Sequence, residues 1–262
     1  DHRDLHSFPT RRSSDLRAKI SLVNSITPFI DRMIHEVNRL SEGGESDDVR
    51  QERCQYIAEL TDKINQYNNV LTEWIQMRHG SLNLRIESFP LQQLFDIVSK
   101  GKMSFQMQGV KFDVEPTDAV VKADRILTLF MINTIADNAR KFTPEGGKVT
   151  ISAKVSDFVE ISISDTGKGM DEEQLAHVFD RTYTGGHGFG LLNCKGIIEK
   201  YKKVSSLFAG CEIKAESKLG EGSRFSFRLP KGIARRTEQR RGVFIRRLRA
   251  VTASDCSTAR AS

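Results

Sequence analysis

The acidic side chain of Asp165 stands where the sequence pattern predicts a mostly buried position. In the run FVEISISD, Val159, Ile161 and Ile163 alternate with other residues, as in a half-buried β-strand. The same alternation puts Asp165 on the buried face at the end of the strand, where an acid is costly unless a donor hydrogen-bonds it. The amino group of adenine is a suitable donor, so Asp165 is a candidate adenine ligand.

Two further features near this acid favour nucleotide chemistry. Gly167 and Gly169, in DTGKGM, would let the backbone approach a flat ligand that a side chain would exclude. Asn138 and Lys141 lie three residues apart on a predicted helix and therefore share a face. An amide oxygen suits Mg²⁺ and an ammonium group suits phosphate, so this face is a candidate site for both.

A third segment, GGHGFGLLNCKGIIEKY, places Gly185, Gly186, Gly188 and Gly190 around the start of another predicted helix. The free N–H groups at such a helix start can bind phosphate. The three segments together predict an ATP·Mg²⁺-binding domain over residues 104–231. The sequence contains neither the GxxxxGK[ST] phosphate loop nor a GxGxxG loop followed by a lysine-bearing strand.

Composition narrows the class of protein. A hydrophobic content of 38% is enough for a core, and no apolar run approaches the length needed to cross a bilayer. The four cysteines are scattered without a CxxC pair, which argues against a metal site or disulfides and fits a reducing cytosol. The formal net charge of +6 lies entirely in residues 232–262, so the rest of the chain is neutral and no nucleic-acid partner is expected.

Both ends of the sequence differ in character from the body. The stretch DLHSFPTRRSSDL at 4–16 resembles the translation of a sequencing-library adapter, and we interpret residues 1–16 as an artefact. Residues 232–262 use Arg and no Lys and have no sustained amphipathic pattern. We expect this tail to be frameshifted or disordered, with a basic arm as the alternative.

The first third of the chain has the pattern of two long helices. Apolar residues repeat in steps of three and four along both segments, at positions 23, 26, 30, 33, 37 and 40 and at 57, 60, 64, 67, 71 and 74. The polar segment SEGGESDD at 41–48 separates them. We predict a helical hairpin over 17–80 that pairs with a second copy into a four-helix bundle, with a monomeric hairpin as the alternative.

Mixed elements follow from residue 81 to residue 231. The patterns predict a short helix at 91–99, a strand pair around 104–114, a helix from Asp124 to Phe142, and two strands in KVTISAKV and FVEISISD. The predicted class is therefore α+β.

These segments together resemble the N, G1 and G2 boxes of the sensor histidine kinases, within the gyrase, Hsp90 and MutL ATPase superfamily. VFDRTY resembles the F box, with Phe179 as its aromatic residue. WIQMRHGSLNLRIESFPLQQL is similar to the link between hairpin and catalytic domain, and GEGSRFSFRLP to the closing hairpin. The resemblance covers about 17–231.

The resemblance implies a two-helix dimerisation hairpin followed by an α/β sandwich of the Bergerat type, with a mixed sheet covered by helices on one face. It implies that Asp165 holds adenine, Asn138 holds Mg²⁺ and Lys141 contacts the phosphates, with 180–188 as a mobile lid. The remaining residues of this implied nucleotide site are Gly167, Gly169, Phe179, Gly186, Gly188 and Gly190.

The implied activity is transfer of the γ-phosphoryl group of ATP to a histidine and then to the receiver domain of a response regulator. The implied location is the cytoplasm, with membrane attachment only through an N-terminal region missing from this sequence.

Two positions depart from the family pattern. The usual phosphoacceptor position, five residues before the Thr-Pro proline, is Val23, which cannot be phosphorylated. His35 is the nearest substitute, lies off the apolar stripe and is followed by Glu36, as an acid typically follows the family's histidine. One turn before Asn138, the family commonly has a residue that orients or deprotonates the acceptor, and this sequence has Thr134 there. The adjacent Asn133 is rotated by roughly 100° around the helix.

Several functions remain open at this point. The boxes favour a histidine protein kinase, whereas the two departures favour a degenerate ATP-binding dimer that signals without autophosphorylation. A gyrase-type or MutL-type ATPase is disfavoured by the hairpin that precedes the ATP-binding segments.

Overall fold

The computed structural model describes residues 11–78, 84–180 and 189–233. In chain order its helices and strands are α1 (Arg11–Glu42), α2 (Asp47–Arg78), β1 (Ile86–Pro90), α3 (Gln92–Lys100), α4 (Met103–Gln106), β2 (Lys111–Val114), β3 (Val120–Asp124), α5 (Arg125–Phe142), β4 (Lys148–Val155), β5 (Phe158–Asp165), α6 (Glu172–Ala176), α7 (Phe189–Val204), β6 (Glu212–Lys218) and β7 (Gly222–Pro230). No helix within these ranges is long and apolar enough to span a membrane.

Helices α1 and α2 form the predicted hairpin. The chain reverses at Gly43 and Gly44, whose φ angles of 70° and 85° favour glycine. The apolar stripe predicted the buried residues of α1 only in part. Phe29, which lies beside the stripe, is 2% exposed, whereas Ile30 and Val37 on the stripe are 38% and 45% exposed. A single copy of the chain therefore leaves part of the stripe uncovered.

Residues 86–180 and 189–233 form an α/β sandwich on a five-stranded mixed sheet, in the order β2-β4-β5-β7-β6. Strands β2 and β4 are parallel and the remaining neighbours are antiparallel. Helices α5 and α7 pack on one face of this sheet. On the other face, polar side chains such as Glu160 and Arg228 pair across strands, with 2.8 Å between Nε and Oε2. The predicted α+β class and one-sided helix cover are confirmed.

The strand pair predicted around 104–114 is wrong. Its first half is the short helix α4, and only Lys111–Val114 is a strand. Phe105 stacks on Phe112 with ring centroids 4.0 Å apart, so the two apolar runs pack as helix against strand. Gly109, with a φ of 67°, turns the chain between them.

Two strands, β1 and β3, were not predicted from the sequence. β1 and β3 pair with each other, antiparallel, in a separate two-stranded sheet. β3 leads directly into α5, which begins as predicted because Oδ1 of Asp124 accepts the N–H groups of Ile126 and Leu127 at 3.0 and 3.1 Å. This N-cap fixes where the helix bearing Asn138 and Lys141 starts.

Candidate functional site

Asp165 ends the central strand β5, between Val149 of β4 and Ser223 of β7. The residue is 8% exposed, on the buried face that the alternation predicted. Burial raises the pKa of its carboxyl group, while hydrogen bonding from the backbones of Gly167 and Ser223 partly opposes that rise. The N–H of Gly167 donates to Oδ1 at 2.8 Å. A carboxylate can accept several donors, so this acid can still receive an amino group from a ligand.

The turn after Asp165 needs glycine for reasons internal to the fold. A Cβ on Gly167 would overlap the Phe142 carbonyl oxygen, and a Cβ on Gly169, where φ is 65°, would overlap the carbonyl oxygen of Lys218. The close approach predicted from the sequence is therefore an approach of the backbone to other protein backbone. Access for a ligand at these two glycines stays a prediction.

The β6–β7 hairpin packs against this turn and supports it. The sequence analysis predicted a closing hairpin in this segment but not its contact with the turn. The N–H of Gly220 donates to the Lys168 carbonyl at 2.7 Å, and the N–H of Met170 donates to Oγ of Ser217 at 2.9 Å. At Gly222, where φ is 99°, a Cβ would overlap the Asp165 carbonyl oxygen. The two glycines of GEG were the available signal for a hairpin tip packed on another turn.

The C-terminal end of α5 meets the same turn. The N–H of Lys168 donates to the Phe142 carbonyl at 3.3 Å. The ammonium groups of Lys141 and Lys168 lie 5.3 and 5.1 Å from the Phe142 ring centroid. Asn138, one turn before Phe142, is half-buried, and Lys141 is exposed. The helix face with the candidate Mg²⁺ and phosphate ligands therefore lies beside the turn that follows the candidate adenine ligand.

The start of α7 comes close to the same helix. A Cβ on Gly190 would lie 2.7 Å from Cγ2 of Thr134, so glycine lets the first turn of α7 approach α5. Thr134 is 5% exposed, which leaves its hydroxyl little access to solvent. The three predicted segments thus converge on α5, although Gly186 and Gly188 lie outside the described residues.

The segment between these parts is described only at its borders. Phe179 is half-buried, and its ring meets that of Phe225 edge-on, with centroids 6.2 Å apart and planes at 90°. Oδ1 of Asp180 lies 3.6 Å from Nζ of Lys195 on α7. The lid predicted at 180–188 lies outside the described residues after Asp180.

A buried acceptor, a partly exposed amide, two cationic side chains and a helix start thus surround one region. Comparison with known families indicates which kind of domain contains this region. Residues 123–233 match the model of the histidine kinase-, DNA gyrase B- and HSP90-like ATPases. These residues form an ATP-binding domain of that family. The chain is related to sensor histidine kinases.

Curated relatives align along both the hairpin and the ATP-binding domain. The sensor protein SrrB of Staphylococcus aureus is 28% identical over 241 residues, which covers 86% of this chain and 38% of SrrB. The non-motile and phage-resistance protein of Caulobacter vibrioides is 26% identical over 241 residues, covering 85% of this chain and 27% of that protein. The chain therefore spans well under half the length of these relatives.

Two solved structures share the fold. Full-length ShkA in complex with AMPPNP superposes with a TM-score of 0.53 at 19% identity, covering 86% of this chain and 46% of ShkA. AdeS of Acinetobacter baumannii gives 0.50 at 19% identity, covering 77% of this chain and 94% of AdeS.

The candidate phosphoacceptor lies on the hairpin, outside the ATP-binding domain. The side chain of His35 is exposed, as its position off the stripe predicted, and Val23 lies in α1 with its side chain outside the described residues. Glu36 is 7% exposed and forms an ion pair with Arg53 of α2. Arg53 also binds Glu45 through two hydrogen bonds of 2.6 and 2.7 Å. The acid that follows His35 is therefore engaged across the hairpin.

Asn133 and Thr134 face different surroundings, as their rotation around α5 predicted. Thr134 adjoins Gly190, whereas Asn133 lines a cavity of about 190 Å³ between the hairpin and the ATP-binding domain. Lys63 of α2 lines the same cavity. Asn133 thus lies on the hairpin side of α5.

Proposed function

We propose that this chain is the ATP-binding core of a sensor histidine kinase, which transfers the γ-phosphoryl group of ATP to a histidine. The phosphoryl group then passes to an aspartate of a receiver domain. The observation that carries the proposal is the buried Asp165 carboxylate beside the Asn138 and Lys141 face of α5. The proposed domain limits are 17–80 for the hairpin and 81–231 for the catalytic domain.

In this proposal each part of the site has one role toward the nucleotide. Asp165 accepts a hydrogen bond from the adenine amino group, and Lys141 and Lys168 attract the phosphates. Asn138 supplies an oxygen ligand for Mg²⁺, which would neutralise the phosphate charge that develops during transfer. The half-buried Asn138 and the exposed Lys141 fit these roles, because both can be reached from outside the protein.

The proposed assembly is a homodimer through the hairpin. Ile30, Ile34 and Val37 of α1 are 38%, 52% and 45% exposed and recur at helical spacing. A second copy of the hairpin would cover this stripe and complete a four-helix bundle. The receiver-domain partner is proposed from the relation to sensor kinases alone.

The proposed phosphoacceptor is His35, the exposed histidine of α1. In the transfer, a ring nitrogen of His35 bonds to the γ-phosphorus while the bond from that phosphorus to ADP breaks. Thr134 occupies the position where the family commonly has a residue that orients or deprotonates the acceptor, and Asn133 is adjacent to it. Neither is a strong base, so slow transfer is expected.

A second function has its own supporting observation. The pairing of Glu36 with Arg53 removes the acid beside His35 from the role of proton acceptor. Together with Val23 and Thr134, this favours a degenerate dimer that binds ATP, changes conformation and regulates a partner without phosphorylating itself.

Incubation of the full chain with γ-labelled ATP and Mg²⁺ tests the first function against the second. The kinase requires label that is acid-labile, stable to alkali and lost in His35→Gln. His177→Gln is the matched control, because His177 is an exposed histidine of the ATP-binding domain.

Measured ATP affinity without any protein-bound label would exclude the kinase and leave the degenerate module. Label that persists in His35→Gln would show that another residue is the acceptor.

A further inference from the structure

One face of α5 carries both the candidate phosphate site and the contact with α7. Thr134, Asn138 and Lys141 follow one another at spacings of four and three residues, so they lie on the same face of the helix. Asn138 and Lys141 are the candidate ligands of Mg²⁺ and phosphate. At Thr134, one turn before Asn138, this face meets the first turn of α7 at Gly190. The contact between the two helices therefore borders the proposed phosphate site.

The contact at Thr134 is made by its methyl group. A Cβ on Gly190 would lie 2.7 Å from Cγ2 of Thr134, and among the described atoms of other segments only this one lies within 4 Å of that position. Carbon atoms pack at roughly 3.5–4.0 Å, so the space is already filled. Thr134 is 5% exposed, and its β-branched side chain has few rotamers available in a helix. The methyl group is therefore held where a side chain at position 190 would otherwise lie.

The orientation of α7 is fixed by the residues that follow this contact. Leu191, next to Gly190, is 9% exposed and Cys194 is fully buried, and both belong to the hydrophobic core. With the rotation of α7 set by these side chains, its first turn cannot swing away from α5. The distance between two packed helices depends on the side chains at their contact. At this end of α7 those side chains are the methyl group of Thr134 and the hydrogen atom of Gly190.

This distance matters for the phosphates of a nucleotide and not for its base. The first N–H groups of a helix have no partners within the helix and can bind phosphate. Their position relative to Asn138 and Lys141 follows from the separation of α7 and α5. Asp165, the candidate adenine ligand, lies on β5 and is held by the backbones of Gly167 and Ser223.

We propose that Thr134 is a positioning residue for the phosphates of ATP. Its methyl group, seated against Gly190, sets the distance between the start of α7 and the face of α5 that carries Asn138 and Lys141. This role deepens the proposed function and rests on it. The residue at the position that the family uses toward the acceptor thus serves the nucleotide in this chain, and it acts through α7.

Calorimetric titration of the full chain with ATP and Mg²⁺, and separately with adenosine, tests this role. Gly190→Ala adds a methyl group that meets Thr134, Thr134→Ser removes the methyl group that it would meet, and the double variant exchanges the two. Gly196→Ala is the matched control, because Gly196 is an exposed glycine of the same helix and its Cβ would meet no other described segment within 4 Å.

Gly190→Ala is expected to bind ATP about tenfold more weakly, as for the loss of one hydrogen bond to a charged phosphate. Adenosine should bind it as it binds the unsubstituted chain, since adenosine has no phosphates. Adding Thr134→Ser should restore ATP affinity to within about twofold, because the two positions are in direct contact. Gly196→Ala should bind both ligands normally.

Two further substitutions approach the contact from α5. Thr134→Val keeps a methyl group at the contact and removes the hydroxyl group, so ATP affinity should be unchanged. Thr134→Asn places a longer side chain against Gly190 and should weaken binding of ATP but not of adenosine. The second variant tests the same distance if Gly190→Ala does not fold.

Unchanged ATP affinity in Gly190→Ala and Thr134→Asn would overturn the role of Thr134 and leave the nucleotide site intact. The role is also overturned if ATP and adenosine are weakened by the same factor, if Thr134→Ser does not rescue Gly190→Ala, or if Thr134→Val binds ATP weakly. An unsubstituted chain that binds no ATP would reject the proposed function, and the role of Thr134 with it.

Discussion

The backbone N–H of Gly167 donates a 2.8 Å hydrogen bond to Oδ1 of Asp165, so the glycine turn orients the acid that precedes it. The acid is buried at the end of the central strand and is held on the opposite side by the backbone of Ser223. A carboxylate fixed in this way is ready to accept a donor from a ligand without reorganising.

Asp165→Asn is expected to weaken ATP binding about 30-fold, because a hydrogen bond to a charged group contributes about 2 kcal/mol. The amide still accepts from Gly167, so the fold should be retained. Titration with ATP by calorimetry measures the change. Asp113→Asn, an exposed acid of the same domain, should bind ATP normally. Equal affinities for Asp165→Asn and the unsubstituted chain would exclude Asp165 as the adenine ligand.

The raised pKa of Asp165 predicts a pH dependence of stability. Because the folded protein holds this proton to higher pH than the unfolded chain, protonation stabilises the fold. Without nucleotide, the free energy of unfolding should fall relative to that of Asp165→Asn as pH rises from about 4 through the raised pKa, and then level off. Urea unfolding across this range measures the difference. A difference that is constant with pH would contradict the assignment of a raised pKa.

Gly169→Ala is expected to destabilise the protein by about 3 kcal/mol. The φ angle of 65° costs an alanine about 1 kcal/mol, and overlap with the Lys218 carbonyl adds the rest. Gly220→Ala is the control, since its φ is 81° and no atom lies within 4 Å of its Cβ position. Its cost should be about 1 kcal/mol. Equal midpoints of urea unfolding for the two variants would show that the hairpin tip yields to the extra methyl group.

Ile34→Asp is expected to raise the dimer dissociation constant about 100-fold, because it places a charge beside the exposed side chains of Ile30 and Val37 on both copies. Sedimentation equilibrium measures the constant. Val155→Asp alters an isolated residue, 54% exposed at the end of β4, and should leave association unchanged. An Ile34→Asp chain that dimerises as well as the unsubstituted chain would move the interface elsewhere.

Much of the fold followed from local patterns. The hairpin, the helix at 125–142 and the two long central strands were predictable because each repeats apolar residues at the period of its own geometry over many residues. β1 and β3 were not predictable in this way, since each is five residues long and is stabilised by a partner distant in sequence. The apolar run around Phe105 was misassigned because a short run fits helix and strand equally well.

Some residues of the candidate site could likewise be predicted from local pattern, and others could not. Asp165 could be recognised because period two continued to the end of β5, and the Asn138 and Lys141 pair because three residues make nearly one helical turn. Asp137 gave no such signal. Asp137 forms ion pairs with Arg32 and Lys63, which are far away in sequence and reach it only when the hairpin packs on α5.

The sequence by itself thus determined which residues are candidates for binding ATP and Mg²⁺, because residue type and periodicity are local properties. Tertiary structure decided what the glycines and the charges do. Gly167 and Gly169 meet protein backbone, and Glu36 is engaged by Arg53. The physical reason is that close packing and ion pairing depend on distances between segments remote in sequence, which only the folded chain sets.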